Sequence, residues 1–556
     1  MNHIELQWTT SLDKVFLAEK HEFSPYFQAS ALQGEVFSLQ LAYKSDIPLQ
    51  PLDIEVISPL ADFVQCRQVC SIAADFFGEK HDDFILSDQI GLYPDLLSDP
   101  ARYRSVPGVW HALWVTIRLP QETAAGKYPL QLKLTHRNPY RNDRDADAVS
   151  PVFDLEVLPV HLPEPDIKVT NWFYGDCLYR LYNVEPWSEK FFALLKNYFL
   201  NMRAHGQNMI YVPLFTPPLD TYIGSERPTM QSVTVFEHPP MQWKFDFSLM
   251  KRYIGLALEC GMEYLEFSHL FTQWGAEYTP KIIVTCPDGS AVRRFGWDVR
   301  AESDLYRRFL ETMLPELQKV LAENHWMEIS YFHISDEPYE RNKDAYAYAS
   351  KLFHTVFPEC RFLDALSRTE FFSNGMVDIP VPANNHIEEF AALDLPERWT
   401  YYCVSQWDKV PNQFTHLPSV RNRIFGILAY IYDLDGFLHW GYNFWFGQYS
   451  MFEVDPYHDS CAGHGFPPGD AFKVYPGKDG QPEDSIRHEV FFEALQDLAA
   501  LQLLECCISR EDILNFIRQQ WDGKLPAMDD YPRSSKWLQD FRNELNKLLV
   551  ETKNVR

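Results

Sequence analysis

Ten cysteines are spread along this 556-residue chain without a single Cys-x-x-Cys pair. Cys66 and Cys70 stand four apart, Cys506 and Cys507 are adjacent, and the cysteine–histidine spacings do not suggest a zinc site. Neither a disulfide framework nor a zinc site is therefore expected. Cys177, Cys260, Cys360 and Cys403 fall in apolar segments and are expected to be buried free thiols, which points to a reducing compartment, the cytoplasm. Residues Met1 to Phe16 carry no basic stretch and no apolar core, so no export signal is expected. No 18-residue window is apolar and uncharged, so no membrane span is expected. Positive charge is scarce as well. Fifty Lys and Arg face 77 Asp and Glu, for a net charge of -27. Such a chain repels phosphate backbones and anionic membranes, and a small neutral ligand such as a sugar suits it better than nucleic acid. Internal repeats and low-complexity tracts are also missing.

Aromatic residues are abundant, at 15% with 15 Trp, which provides flat faces for ligand stacking as well as for packing. The length calls for roughly two to four cores. In the first 160 or so residues, runs such as Val36 to Tyr43, Ala112 to Leu119 and Tyr128 to Leu134 alternate apolar and polar positions between turn residues. This is the pattern of antiparallel strands, and it predicts an N-terminal β-sandwich. The charged stretch Arg137 to Asp147 reads as a solvated hairpin tip. The proline-rich segment Leu158 to Pro165 reads as a linker. The expected organisation is a sandwich domain over 1–163 and a (β/α)8 TIM-like barrel with C-terminal helices over 164–556. The barrel reading comes from eight buried runs alternating with helix-length amphipathic stretches. These runs are Val169–Phe173, Asn208–Leu214, Glu263–His269, Glu328–Ile334, Arg361–Leu366, Val377–Pro382, Thr400–Val404 and Gly436–Trp440.

Chemistry in such a barrel sits at the C-terminal ends of the strands. The fourth run ends in His333-Ile334-Ser335-Asp336-Glu337-Pro338. Pro338 stops the strand and is expected to hold Glu337 extended. A solvated turn is the alternative for the two acids. The other strand ends contribute Asn171, Trp172, His269, Asp364, Asn384, Tyr401, Tyr402, Trp440, Tyr442 and Trp445. Amides, phenols and indoles around two carboxylates suit a sugar. Gly441 and Gly447 suggest a loop that presents the rings of Trp440, Tyr442 and Trp445. From this set Asn171, Trp172, His269, Asp364, Asn384, Tyr402, Trp440, Tyr442 and Trp445 are expected to line the substrate. A double-displacement glycosidase needs a second carboxylate about 5 Å from the acid, usually on another strand, and only Asp364 is placed for that. Adjacent Asp336 and Glu337 instead suit a mechanism in which the sugar's own 2-acetamido oxygen attacks the anomeric carbon. No H-x-H marks the first run and His333 has no evident histidine partner. His333 is therefore expected to be structural, with no metal or cofactor.

Four blocks carry a family resemblance. They are the His333 to Pro338 motif, Gly91 to Leu97, Leu113-Trp114-Val115, and a late block from Tyr475-Pro476-Gly477 through Ser485 to Glu489 and on to Asp497. Together they make the chain similar to glycoside hydrolase family 123, the β-N-acetylgalactosaminidases, and to the broader barrel family around them. The resemblance implies that Asp336 orients the acetamido group, that Glu337 is the general acid/base, and that the enzyme is an exo-acting β-N-acetylhexosaminidase. With no export signal, the expected substrate is a small glycoside. A non-catalytic carbohydrate-binding barrel, or a glycosidase for sugars without an acetamide, remains the alternative.

Overall fold

The protein is described by a computed structural model covering residues 3–17, 21–78, 80–138, 140, 145–238 and 241–554. Ten strands come first: β1 (Ile4–Thr10), β2 (Gln28–Gln33), β3 (Val36–Ser45), β4 (Asp53–Ile57), β5 (Val64–Ala74), β6 (Gly91–Ser98), β7 (His111–Arg118), β8 (Gly126–His136), β9 (Ala146–Val149) and β10 (Phe153–His161). They form two sheets, ordered β1-β3-β7-β5-β6 and β2-β10-β8-β4, with β9 on β8. All pairs are antiparallel except β2 with β10. The alternation read from Val36, Ala112 and Tyr128 matches β3, β7 and β8, whose inward residues Leu39, Leu41, Leu113, Val115, Leu130 and Leu132 build the core between the sheets. Of the expected tip between Arg137 and Asp147, residues 139 and 141–144 lie outside the described residues.

The second half is a curled parallel sheet. Its strands are β11 (Lys168–Asn171), β12 (Met209–Val212), β15 (Tyr264–Phe267), β18 (Ser330–Phe332), β19 (Leu363–Leu366), β20 (Ile379–Pro382), β21 (Trp399–Tyr401) and β22 (Gly436–His439). Hairpins β13–β14 (Thr234–His238, Gln242–Asp246) and β16–β17 (Ile282–Thr285, Ala291–Phe295) are inserted between them. Six strands run β18-β15-β12-β11-β22-β21, and β19 pairs β20. Parallel bridges from Phe332 to Phe362 and from Ala383 to Tyr401 join the two groups. Each of the eight expected runs overlaps one of these strands; β11 begins one residue before its run, at Lys168, and β21 one residue before its run, at Trp399. Helices follow the strands, among them α2 (Glu189–Ala204), α3 (Ser248–Glu259), α4 (Asp304–Glu323) and α5 (Lys343–Val356). Ser188 and Ser303 cap α2 and α4 by accepting from backbone N–H groups, a contribution of about 1 kcal/mol each.

The C-terminal helices α10 (Ile486–Glu505) and α12 (Ser535–Asn554) do more than flank the parallel sheet. The core around α10 takes Leu498 and Leu501 together with Phe425 and Phe437 from the parallel half and Trp114 and Val69 from the sandwich. Buried charges pin the same seam. Arg487 donates to both oxygens of Asp95 at 2.9 Å, and the Tyr475 hydroxyl donates to Asp95 at 2.6 Å. Two of the sequence blocks, Gly91 to Leu97 and Tyr475 to Glu489, thus meet in space as one interlock. Removing one member would leave its partner buried and uncompensated, at a cost of about 3–5 kcal/mol. Many of the tryptophans are structural too: Trp8, Trp114, Trp172, Trp399 and Trp445 are fully buried.

Candidate active site

The chain leaves β18 through His333, Ile334 and Ser335, and Asp364 on the neighbouring β19 holds that exit. The Asp364 carboxylate accepts from the N–H groups of Ile334 at 3.1 Å and Ser335 at 3.3 Å, from the Tyr346 hydroxyl at 2.5 Å and from His333 Nδ1 at 3.0 Å. It has no exposed surface. Asp364, expected to line the substrate, instead shapes the turn that presents Asp336 and Glu337.

His333 Nε2 bonds Glu266 Oε1 at 2.6 Å, and that oxygen also accepts from Trp172 Nε1 at 2.8 Å. Burial opposes a charge on His333, but the bonds to Asp364 and Glu266 outweigh it and raise the imidazole to about 9. A histidine raised in the folded state stabilises fully below its ordinary value of 6.5, and that contribution is lost as pH climbs through 9. The difference is worth on the order of 3 kcal/mol. Thermal midpoints are therefore expected to fall as pH rises from 6.5 to 9. His333→Gln should lower the midpoint at the acid end and flatten that slope. A variant that keeps the wild-type slope would remove the charged triad.

Contrary to the sequence expectation, His333 does have a histidine neighbour. Its ring stacks on His269 with centroids 4.2 Å apart. Among the described residues, His269 with His333 and Asp364, and His205 with Asp484 and His488, bring three possible ligand atoms together. Neither group suits a metal. Both nitrogens of His333 donate to carboxylates. The rings of His205 and His488 lie nearly parallel at 3.9 Å, so their lone pairs do not converge, and Arg67 already neutralises Asp484 at 2.7 Å.

Asp336 and Glu337 are both partly exposed. Glu337 is not extended, as Pro338 suggested, but left-handed at φ 40. Its N–H donates to Ala365 O at 3.1 Å and its Oε1 accepts from the Tyr401 hydroxyl at 2.5 Å, so the surroundings over-determine the strained backbone. Asp220, Trp274, Ala276, Tyr449 and Ser450 on the adjoining loops are left-handed as well. Each costs about 1–3 kcal/mol, a strain that gathers at functional sites. Trp274 N–H donates to the Asp336 carbonyl at 2.8 Å. Burial and then the charge of Glu337 push Asp336 well above the usual carboxylate range. Burial pushes Glu337 up, against the Tyr401 bond.

Two further acids act on this pair. Asp470 is fully buried and accepts from Trp440 Nε1 at 2.9 Å, and burial raises it to about 7. Asp220 is raised to about 6 by burial, against the Tyr449 N–H and Arg227. Both lie in long loops where spacing carries no structural signal, which is why the sequence did not single them out. Glu266, a lone acid inside the apolar run Tyr264 to Phe267, was legible as an anomaly.

The remaining expected ligands divide. Trp440 stays partly exposed beside Asp470. Trp172 and His269 lie buried with Glu266 and Tyr211 beneath the carboxylates. Asn171 bonds Gln207 at 3.0 Å and Asn384 bonds Pro411 O at 2.8 Å. Tyr402 packs on Phe425 and Phe437 in the outer layer. Its neighbour Tyr401 reaches Glu337 instead, since adjacent strand residues face opposite sides. Tyr442 bonds Asn201 and Trp445 bonds Val474 O, both in the core. Gly441 does not display these rings. A Cβ there would stand 2.5 Å from Ala471 O, so the glycine permits a close backbone approach.

The family described as glycoside hydrolase 123, catalytic domain, matches residues 172–504. A family 123 glycoside hydrolase from Clostridium perfringens, whose structure concerns glycolipid glycan hydrolysis, superposes with a TM-score of 0.74 at 15% identity. That alignment covers 100% of this chain and 98% of the other. A family 5 mannosidase from Rhizomucor miehei reaches a TM-score of only 0.33 at 12% identity, over 63% of this chain and 95% of its own. No curated protein matches the chain in sequence.

Proposed function

The chain belongs to glycoside hydrolase family 123, and from that premise we propose that it is an exo-acting β-N-acetylhexosaminidase, most suited to GalNAc, that works with retention through the substrate's own acetamide. We read the curled sheet as a (β/α)8 barrel of the TIM type, forming with the C-terminal helices a catalytic unit over 164–556 behind a sandwich domain over 1–163. The buried thiols Cys177, Cys260, Cys360 and Cys403 support a cytoplasmic setting and a small glycoside as substrate.

The observation that carries this reading is the adjacent, partly exposed Asp336 and Glu337, with the strand-borne alternatives Asp364 and Glu266 both buried and engaged by neighbouring donors. Asp470 has no exposed surface, and Asp220 is held at one oxygen by the Tyr449 N–H. Adjacent acids that are both raised release their protons as a pair, and the working form carries one proton. In the free protein the Tyr401 hydroxyl favours charge on Glu337. Bound substrate reverses this, because its acetamido N–H donates to ionised Asp336 while its glycosidic oxygen accepts from protonated Glu337. The acetamido oxygen then closes on C1 as the C1–O bond breaks and the Glu337 proton moves to the leaving oxygen. Asp336 stabilises the oxazolinium charge, and Glu337 afterwards takes a proton from the water that opens the ring.

Aryl β-glycosides with mono-, di- and trifluoroacetamido groups are expected to react progressively more slowly, because electron withdrawal weakens the attacking oxygen. Fluorosugars that trap nucleophilic carboxylates should leave no mass-spectrometric adduct. An adduct on Asp220, Asp364 or Asp470, or rates indifferent to fluorination, would restore a two-carboxylate mechanism. Sugar binding without turnover would favour a non-catalytic protein.

A further inference from the structure

The loop after β12 carries a carboxylate that the mechanism above does not use. Asp220 sits at φ 37, and Tyr449 and Ser450 opposite it sit at φ 58 and 56. Two other loops clamp it. Its N–H donates to Gln273 Oε1, its carbonyl accepts from the Ser450 hydroxyl at 2.7 Å, and its Oδ2 accepts from the Tyr449 N–H at 2.7 Å. Among the described residues nothing bonds Oδ1, and the residue keeps some exposed surface. Arg227 is the nearby cation, but its guanidinium is committed to Asp176 in a fully buried bidentate pair at 2.8–3.1 Å. The chain therefore holds a rigid, half-satisfied acceptor beside two other acids, and it acts on both Asp336 and Asp470. Repulsion among three acids is costly unless a ligand supplies donors.

We infer that Asp220 is a substrate-binding residue of this site, its free oxygen accepting a hydrogen bond from a ring hydroxyl of the sugar. The inference rests on the hydrolase reading above and adds a residue that selects sugars by their hydroxyl pattern. A site built around a hydroxyl rejects the analogue that lacks it, because the buried acceptor is then left unpaired.

The test uses Asp220→Asn and Asp220→Gly, because both residues tolerate left-handed backbone and the loop should keep its course. On an aryl N-acetylgalactosaminide, kcat/KM is expected to fall by about 10- to 100-fold, the range for a hydrogen bond to a charged group. The 3-, 4- and 6-deoxy substrates are compared in turn. On the one lacking the contacted hydroxyl, wild type should already be slow and the variants should lose nothing more. Equal losses on every substrate would make Asp220 structural, and no loss at all would remove it from the site. Calorimetric binding of GalNAc and its deoxy forms makes the same comparison without turnover. A wild type that binds but never hydrolyses would overturn the hydrolase reading, and the binding series would still decide Asp220.

Discussion

Glu337→Gln is expected to lower kcat/KM by about 10² to 10⁴ on glycosides with poor leaving groups, the usual cost of losing a positioned acid/base. Geometry sets the expectation. The left-handed turn and the bond from Ala365 fix the Glu337 backbone, while Tyr401 fixes its carboxyl. Gln keeps the size and can still accept from Tyr401, so folding should hold while proton transfer is lost. Aryl substrates whose leaving groups need no proton should recover much of the rate. The pH dependence follows from the direction of the shift. A raised carboxyl stays protonated to higher pH, so the wild-type rate should fall on the alkaline side only above the ordinary glutamate range. In the Gln variant that limb should disappear. Near wild-type turnover on a poor leaving group would sink the assignment.

The second large effect is expected from Asp336→Asn. In the proposed mechanism Asp336 acts when positive charge develops on the acetamide, so the variant should lose kcat far more than it raises KM. The acid limb of a bell-shaped wild-type profile reports protonation of the pair's remaining anion, and this limb too should vanish in the variant. Burial pushes Asp336 up, so that limb should lie above the ordinary aspartate range. A galacto-configured thiazoline, shaped like the bicyclic intermediate, should bind wild type far more tightly than free GalNAc. The Asn variant should lose most of that preference. A change confined to KM would reduce Asp336 to a binding residue.

Much of the architecture was legible from patterning alone. Burial on both faces makes parallel strands rich in apolar residues, so β12, β15, β18, β19, β20 and β22 fell within expected segments and β11 and β21 overlapped theirs. The turn that carries Asp336 and Glu337 was legible from Pro338, but the strand stops earlier, at Phe332, and the Asp364 carboxylate takes the N–H groups of Ile334 and Ser335 beyond it. The lining was harder to read. Tyr402 was expected and Tyr401 found because, at a strand end, a shift of one residue exchanges the inner face for the outer. Tyr442 and Trp445 carry the same ring chemistry as Trp440 but turn into the core.

What the sequence by itself determined was local: strand and helix periods, the acidic balance, cysteines outside any Cys-x-x-Cys spacing, and the one place where two carboxylates follow a buried strand. The tertiary structure decided which acids meet. Asp220 and Asp470 are 250 positions apart in the chain, yet both add to the field at Asp336 and Glu337. Asp95 and Arg487 lock the two halves from opposite ends of the sequence. Such pairings arise from loop closure around a common core, and no local period encodes which distant loops that closure will bring together.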